Sequence, residues 1–196
     1  GCRLDATAAR VAVRVADLQP RFSGPLIARG LRCGNTLAVD QPQFDLDARF
    51  AAGLDSWRGA TRLRAPMLQA GPHRLAGVDG RLSLDGNADS TAGTLNLRAA
   101  GVAAPFARAG ETRFAGRYAL AARRGIVSLD GEVAAARVVL ADSTLAGAIG
   151  PLRGISGTPL GPIGDALAAA LVRAGRGGAD ARGAIRLAYE GGRGAI

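Results

Sequence analysis

The sequence predicts a mainly β fold: a curved antiparallel β-meander that leaves an open hydrophobic groove, β-taco-like, with one short helix near the C-terminus. Three observations carry that expectation. Between Gly80 and Gly101, Leu82 and Leu84 alternate with Arg81, Ser83 and Asp85, a polar turn intervenes, and Leu95 and Leu97 then alternate with Thr94, Asn96 and Arg98. Strict period-two alternation on both sides of a Gly/Asn/Asp/Ser cluster predicts a hairpin with one apolar face. The phrase of a glycine followed by alternating apolar residues then recurs, at Gly80, Gly93, Gly116 and Gly183, with weaker copies at Gly59 and Gly131. Finally, 48% of the chain is hydrophobic but much of that is alanine, and aromatics make up 4%, so a thick two-layer core would lack bulk.

Taken in order, Val11, Val13 and Val15 alternate against Arg10, Ala12 and Arg14, which reads as a half-buried strand over 8–18. Pro20, Gly24 and Pro25 read as its end, and the residues up to Gly34 as a connection. A second strand is expected over 36–50, with Phe44, Leu46, Ala48 and Phe50 on one face and a bend or edge position at Pro42. A third, from Trp57 to Leu68, carries Arg58, Arg62 and Arg64 on one parity and Leu63 on the other, and Pro66 and Gly71-Pro72 read as closing it. His73 follows as a surface-loop residue. After the central hairpin, Phe114, Gly116, Tyr118 and Leu120 share a face, the chain turns at Arg123-Arg124-Gly125, and Val127, Leu129, Gly131 and Val133 return, extended by Val138 and Leu140.

Between Leu145 and Gly178 the pattern changes to glycines and prolines, followed by a single expected helix over about 162–175. Pro162 suits its first turn, Asp165 its positive end and Arg173 its negative end, and Gly175 reads as its stop. It is too short to span a bilayer and reads as a plug or lid on the sheet. A closing strand from Ala184 to Glu190 places Ile185, Leu187 and Tyr189 on one face.

The formal charge is +9, and every basic residue other than His73 is arginine. Arginine without lysine, in a chain rich in Ala and Gly, fits the coding bias of a GC-rich genome; attraction to lipid head groups or nucleic acid is the functional alternative. The arginines are dispersed and stacking aromatics few, which speaks against a nucleic-acid partner. No nucleophile–base, zinc-binding or phosphate-loop pattern is present, so no catalytic residue, metal or cofactor is expected. Cys2 and Cys33 flank strands; a disulfide in an oxidising compartment and two separate small buried residues both remain open. No signal-peptide pattern and no apolar run of spanning length occurs, and the 196 residues read as one segment of a longer protein.

The recurrent glycine phrase, Leu84-Asp85-Gly86 and Leu129-Asp130-Gly131, and the late alanine-rich helix before a closing strand resemble the AsmA-like bridge-type lipid transfer family of Gram-negative bacteria, the YdbH branch above all, with TamB and YhdP as relatives. The resemblance implies an elongated periplasmic β-groove, anchored through the full-length protein in the inner membrane. It further implies transport of phospholipid towards the outer membrane, with an outer-membrane lipoprotein or another membrane partner at the groove ends. Under it the acyl chains lie along Val11, Val13, Val15, Phe44, Leu46, Leu63, Leu82, Leu84, Leu95, Leu97, Phe114, Tyr118, Leu120, Val127, Leu129, Val133, Ile185, Leu187 and Tyr189. Eight strands stacked at about 4.8 Å would make a trough of roughly 35 to 40 Å, longer than one acyl chain. Arg62, Arg64, Arg81 and Arg98 are candidates for attracting phosphates, against a solvated outer-face role. The competing reading is a closed structural β-sandwich or solenoid with no lipid cargo.

Overall fold

In the computed structural model, which describes residues 2–34, 37–121, 126–153, 161–190 and 193–195, the chain is mainly β: a curved meander in one 16-stranded sheet with two helices. The strands are β1 (Cys2–Asp5), β2 (Ala8–Ala9), β3 (Ala12–Ala16), β4 (Gln19–Ile27), β5 (Gly30–Cys33), β6 (Leu37–Asp40), β7 (Gln43–Phe50), β8 (Ser56–Ala70), β9 (His73–Asn87), β10 (Ser90–Ala99), β11 (Gly101–Ala104), β12 (Ala107–Ala109), β13 (Thr112–Ala121), β14 (Ile126–Leu140), β15 (Ala179–Glu190) and β16 (Arg193–Ala195). Helices α1 (Asp142–Arg153) and α2 (Gly161–Gly177) separate β14 from β15. The strand pairings are antiparallel; some join consecutive strands, as β8 with β9, and others skip over intervening ones, as β1 with β5, β4 with β7 and β10 with β13. The central hairpin forms as its turn residues require: the Asn87 side-chain oxygen accepts the Asp89 and Ser90 amides at 2.9 and 3.0 Å, closing the turn between β9 and β10.

Many of the short strands are halves of longer ones. β8 pairs with β7 along one half and β6 along the other, β9 with β10 and β11, and β14 with β13 and β12. These pairings close a ring of six strands, β9, β10, β13, β14, β12 and β11. Where the halves meet, a line of irregular backbone crosses the sheet. It passes through Ala6, Gln41, Gly77 and Arg137, all at positive φ, and beside Pro66, Ala100 and Gly110. Hydrogen bonding continues across this crease: Ala28 N–H to Pro42 C=O at 3.0 Å, Ala100 N–H to Ala76 C=O at 2.8 Å, and Gly110 N–H to Ala136 C=O at 2.8 Å. The crease inserts one residue into the alternation of each long strand, so Leu75 and Val78 on β9, and Leu68 and Ala65 on β8, contribute to the same core. It divides the sheet into a short arm (β1, β5, β6, β11, β12 and the adjoining ends of β8, β9 and β14) and a long arm (the rest).

The tightest packing lies along this crease. Val39, Ala65 and Val78 form a buried cluster, and short-arm Leu31, Leu37, Leu68 and Leu75 pack on it together with long-arm Leu97, so the apolar surfaces of both arms face into the angle. Pro42, Ala28 and Ala99 are buried on the same line.

Several expectations are corrected here. The stretch expected to be a connection is β4 and β5: Pro20 and Pro25 are tolerated in β4 because the extended backbone suits proline, and the neighbouring strands β3 and β7 still supply partners along it. The strand expected over 36–50 is two, split at Gln41-Pro42, where the bend falls as anticipated. Pro66 does not end β8; the register runs through it, from Ala65 opposite Val78 to Met67 opposite Ala76. His73 is the first residue of β9, part-buried, with its ring edge-on to Phe106 at 6.0 Å. Val13 and Val15 are 56% and 66% exposed instead of half-buried, because β3 is at an edge of the sheet.

Two helices replace the single one expected. Gly147, Gly150 and Pro151 concealed α1, whose Leu145 and Ile149 pack on Ala168 and Val172 of α2 and on Leu140 at the end of β14. Helix α2 runs to Gly177, and the stop is Gly178 at φ +78, not Gly175, where an added Cβ would stand 3.1 Å from Leu145. Arg176 in the last turn of α2 reaches Asp142 in the first turn of α1 at 3.3 Å, a pairing both helix dipoles favour. The pair sits at the β14 end of the sheet, away from the long-arm face, and neither described helix is long and apolar enough to cross a membrane. The turn at Arg123-Arg124-Gly125 and the side chains of Pro162, Ile163 and Tyr189 lie outside the described residues.

Candidate functional site

On the long arm, the antiparallel registers gather the dispersed apolar residues into rows that run across the strands. One row passes from Leu26 through Phe44, Leu63, Gly80, Leu97, Phe114 and Val133 to Gly183. The next passes from Gly24, beside Val11, through Leu46, Thr61, Leu82, Leu95, Gly116 and Gly131 to Ile185. A third holds Val13, Phe22, Ala48, Gly59 and Leu84, and on the far side Gly93, Tyr118, Leu129 and Leu187. The last begins at Val15 and Pro20 and continues through Phe50, Trp57, Gly86, Thr91, Leu120 and Val127 to the backbone of Tyr189. All the residues expected to line a groove therefore share one face.

Of those residues, none with a described side chain is fully buried. Most are half-buried, and Leu120 and Val127 are 39% and 41% exposed. The face also contains aromatic residues that were not among the expected groove lining. Phe22 meets Phe50 edge-on at 5.3 Å, and Phe50 meets Trp57 at 6.1 Å, an aromatic group at the end of the long arm remote from the crease. Phe22 was hidden by the prolines and glycine around it; Phe50 and Trp57 were legible from parity with Phe44 and Leu63.

Glycine shapes this face. The Phe114 ring lies over Gly116 and Gly131, where added Cβ atoms would come within 2.6 and 2.8 Å of its Cζ. Gly93 lies so near β9 that an added Cβ would stand 1.9 Å from the Ser83 carbonyl oxygen, which accepts the Tyr118 hydroxyl at 2.9 Å. Desolvation in this setting pushes the Tyr118 phenol above its ordinary range. The Thr94 amide, opposite, donates to the Ser83 Oγ at 2.8 Å, filling in for the strand ladder. One polar atom on the apolar face is buried without a hydrogen bond, Thr61 Oγ1.

The reverse face of the long arm is a lattice of cross-strand ion pairs: Arg21 with Asp47 at 2.5 Å, Arg58 with Asp85 at 2.9 Å, Arg62 with Asp79, Arg64 with Asp45 at 3.6 Å, and Arg186 with Asp130 at 3.1 Å. Glu111 takes both Arg98 and Arg113 at 2.6 Å. Hydrogen bonds from these guanidinium groups hold the Asp47, Asp79 and Glu111 carboxyls below their usual range. Of the arginines considered for phosphate contact, Arg62, Arg64 and Arg98 are thus engaged with carboxylates on the outer face, and Arg81 stands opposite Arg62 on that same face. No group of three His, Cys, Asp or Glu side chains among the described residues is placed to hold a metal.

Cys2 and Cys33 face each other across β1 and β5, with Cα atoms 4.0 Å apart, and are joined by a disulfide. Comparison with family models, curated proteins and solved structures finds no match to this chain.

Proposed function

We propose that the apolar face of the long arm binds phospholipid acyl chains and carries them along the sheet, as a segment of a periplasmic AsmA-like protein running between inner and outer membranes. The observation that carries this reading is the state of the rows: they run across the long arm with their large side chains half-exposed or exposed, the buried members being small residues such as Ala48 and Gly80, while the large buried side chains of the sheet, Val39, Val78 and Pro42, lie along the crease. Such a surface costs free energy in water, and hydrocarbon laid against it recovers roughly 25 cal/mol per Å² covered. Leu, Val and Phe make no directional contacts, so tails slide while head groups stay solvated. The Cys2–Cys33 disulfide supports an oxidising compartment.

The test is a photo-crosslinking amino acid placed at Leu84 or Leu95 on the apolar face and, for comparison, at Asp85 on the reverse face, in protein purified from a Gram-negative periplasm. Lipid adducts from the first two positions and none from the third are expected. Absence of adducts from every position, with no lipid co-purifying in native mass spectrometry, would leave the closed structural reading in its place.

A further inference from the structure

Edge strands carry unpaired backbone donors and acceptors, and proteins guard them with balanced charge, proline or a cover. The edges of this sheet are guarded unequally. On β1, Arg3 and Asp5 neutralise each other at 3.0 Å. β15 is joined by β16 along Ala188–Glu190, its Arg186 meets Asp130 at 3.1 Å, and its Arg182 shares a face with Asp180. β3 pairs with β4 alone, is exposed along its whole length, and contains neither proline nor an acid. The Arg10 N–H donates to the Pro25 C=O at 3.0 Å, and antiparallel alternation from there turns the amides of Val11, Val13 and Val15 away from β4, to the open side.

On the outer face, Arg14 of β3 begins a ladder of like charge. It stands opposite Arg21, Arg21 opposite Arg49, and Arg49 opposite Arg58, so arginines follow one another on β3, β4, β7 and β8, all of them exposed. Directly opposed like charges repel. At its inner end the ladder closes on a carboxylate, Asp85, which stands opposite Arg58 at 2.9 Å, and Asp47 takes Arg21 at 2.5 Å. At the edge it does not close: Asp17 lies in the turn just beyond β3, yet Arg14 has no carboxylate partner among the described residues. On the apolar face Val13 and Val15, which flank Arg14, are the most exposed large side chains of their rows.

We propose that β3 receives an added strand from another polypeptide, one in which acidic residues alternate with apolar ones. An acid then stands beside Arg14 and closes the ladder, apolar side chains stand beside Val13 and Val15, and the open amides gain carbonyl partners. The chain holds the pattern for such a strand in β7, on the other side of β4. There Phe44, Asp45, Leu46 and Asp47 alternate, the apolar pair joining the rows and Asp47 neutralising Arg21. A second copy of the same edge brings Arg10, Ala12 and Arg14 to the outer face and no acid. The inference is independent of lipid on the apolar face, since it needs only the edge backbone, Arg14 and the two valines.

The test is fluorescence anisotropy of the full chain with a fluorescein-labelled peptide of about ten residues that alternates valine with glutamate. Saturable binding is expected, with little binding of a peptide that alternates valine with arginine. Val13→Pro removes an open-side amide at a position where an edge strand accepts proline, and should abolish binding; Val13→Thr, which keeps the amide, should largely retain it. Arg14→Glu should weaken binding by about fivefold and shift preference towards the arginine peptide. Arg32→Glu, the same change in net charge on the short arm, should leave it nearly intact. Circular dichroism and Tm confirm that the variants fold. Equal losses from Arg14→Glu and Arg32→Glu would reduce the effect to net charge and overturn the assigned edge, as would binding that survives Val13→Pro. No binding of the glutamate peptide, or equal binding of the arginine peptide, would overturn the choice of partner. So would a dimer in analytical ultracentrifugation that Val13→Pro abolishes, which would give the edge to a second copy.

Discussion

At the scale of single residues, the face depends on side chains that are missing as much as on those present. Gly116 and Gly131 leave the space that the Phe114 ring occupies, and their other close neighbours are backbone atoms of the adjacent strand that cannot swing aside. Gly116→Val should therefore cost about 2 kcal/mol or more, read as a lowered midpoint in urea denaturation. Thr61 presents the opposite case. Its hydroxyl is buried without a partner, so Thr61→Val, nearly isosteric, should raise stability by about 1 kcal/mol in the same assay. The outer-face carboxyls set the response to acid. Because Asp47, Asp79 and Glu111 ionise more readily folded than unfolded, their contribution is complete above the unfolded pKa values and is lost as pH falls through the folded ones. Tm should hold level from neutrality to about pH 5 and fall below about pH 4. Asp79→Asn should flatten that fall.

At the scale of elements, the crease explains which parts of the fold were legible. Alternation located most of the long arm, and where a strand was expected there its parity agrees with the registers; β4, read as a connection, is the exception. Its continuation into the short arm was not legible, because the inserted residue reverses parity: a reader following Leu63 along β8 arrives at Met67 when the inward side chain is Leu68. Proline and glycine misled for a related reason. At Pro20, Pro25 and Pro66 they sit inside strands whose neighbours tolerate a missing donor, and in α1 tertiary contacts of Leu145 and Ile149 outweigh poor helix propensity. The disulfide holds the outermost strand of the short arm to β5. Cys2→Ser with Cys33→Ser should lower global stability by about 2 to 4 kcal/mol. In hydrogen exchange the β1 amides should lose protection first, with β8 to β10 least affected.

At the scale of the molecule, the sheet combines a sealed crease with an unsealed face, and the two respond differently to charge. Leu84 is half-buried in an apolar row and does not belong to the crease cluster, whereas Leu97 packs on Val39, Ala65 and Val78. Leu84→Asp should leave a cooperative thermal transition near that of the parent. Leu97→Asp should lower Tm markedly, as burial of an unpaired carboxylate in a core requires. Comparable losses from both would mean that the rows are as closed as the crease, against the proposed lipid-bearing role. Leu84 is thus the better position for separating lipid contact from folding.

The sequence by itself determined the strand-rich class and, outside β4, the side of the long arm on which the alternating hydrophobic residues stand, because alternation is a local consequence of the extended backbone. The tertiary structure alone decided where that alternation is interrupted, how the two arms close on their shared core, and which arginines meet a carboxylate. Those outcomes depend on which strands become neighbours. Arg62 finds Asp79, and Arg74 finds no acid among the described residues, because of cross-strand register, a relation between distant stretches that no local spacing expresses.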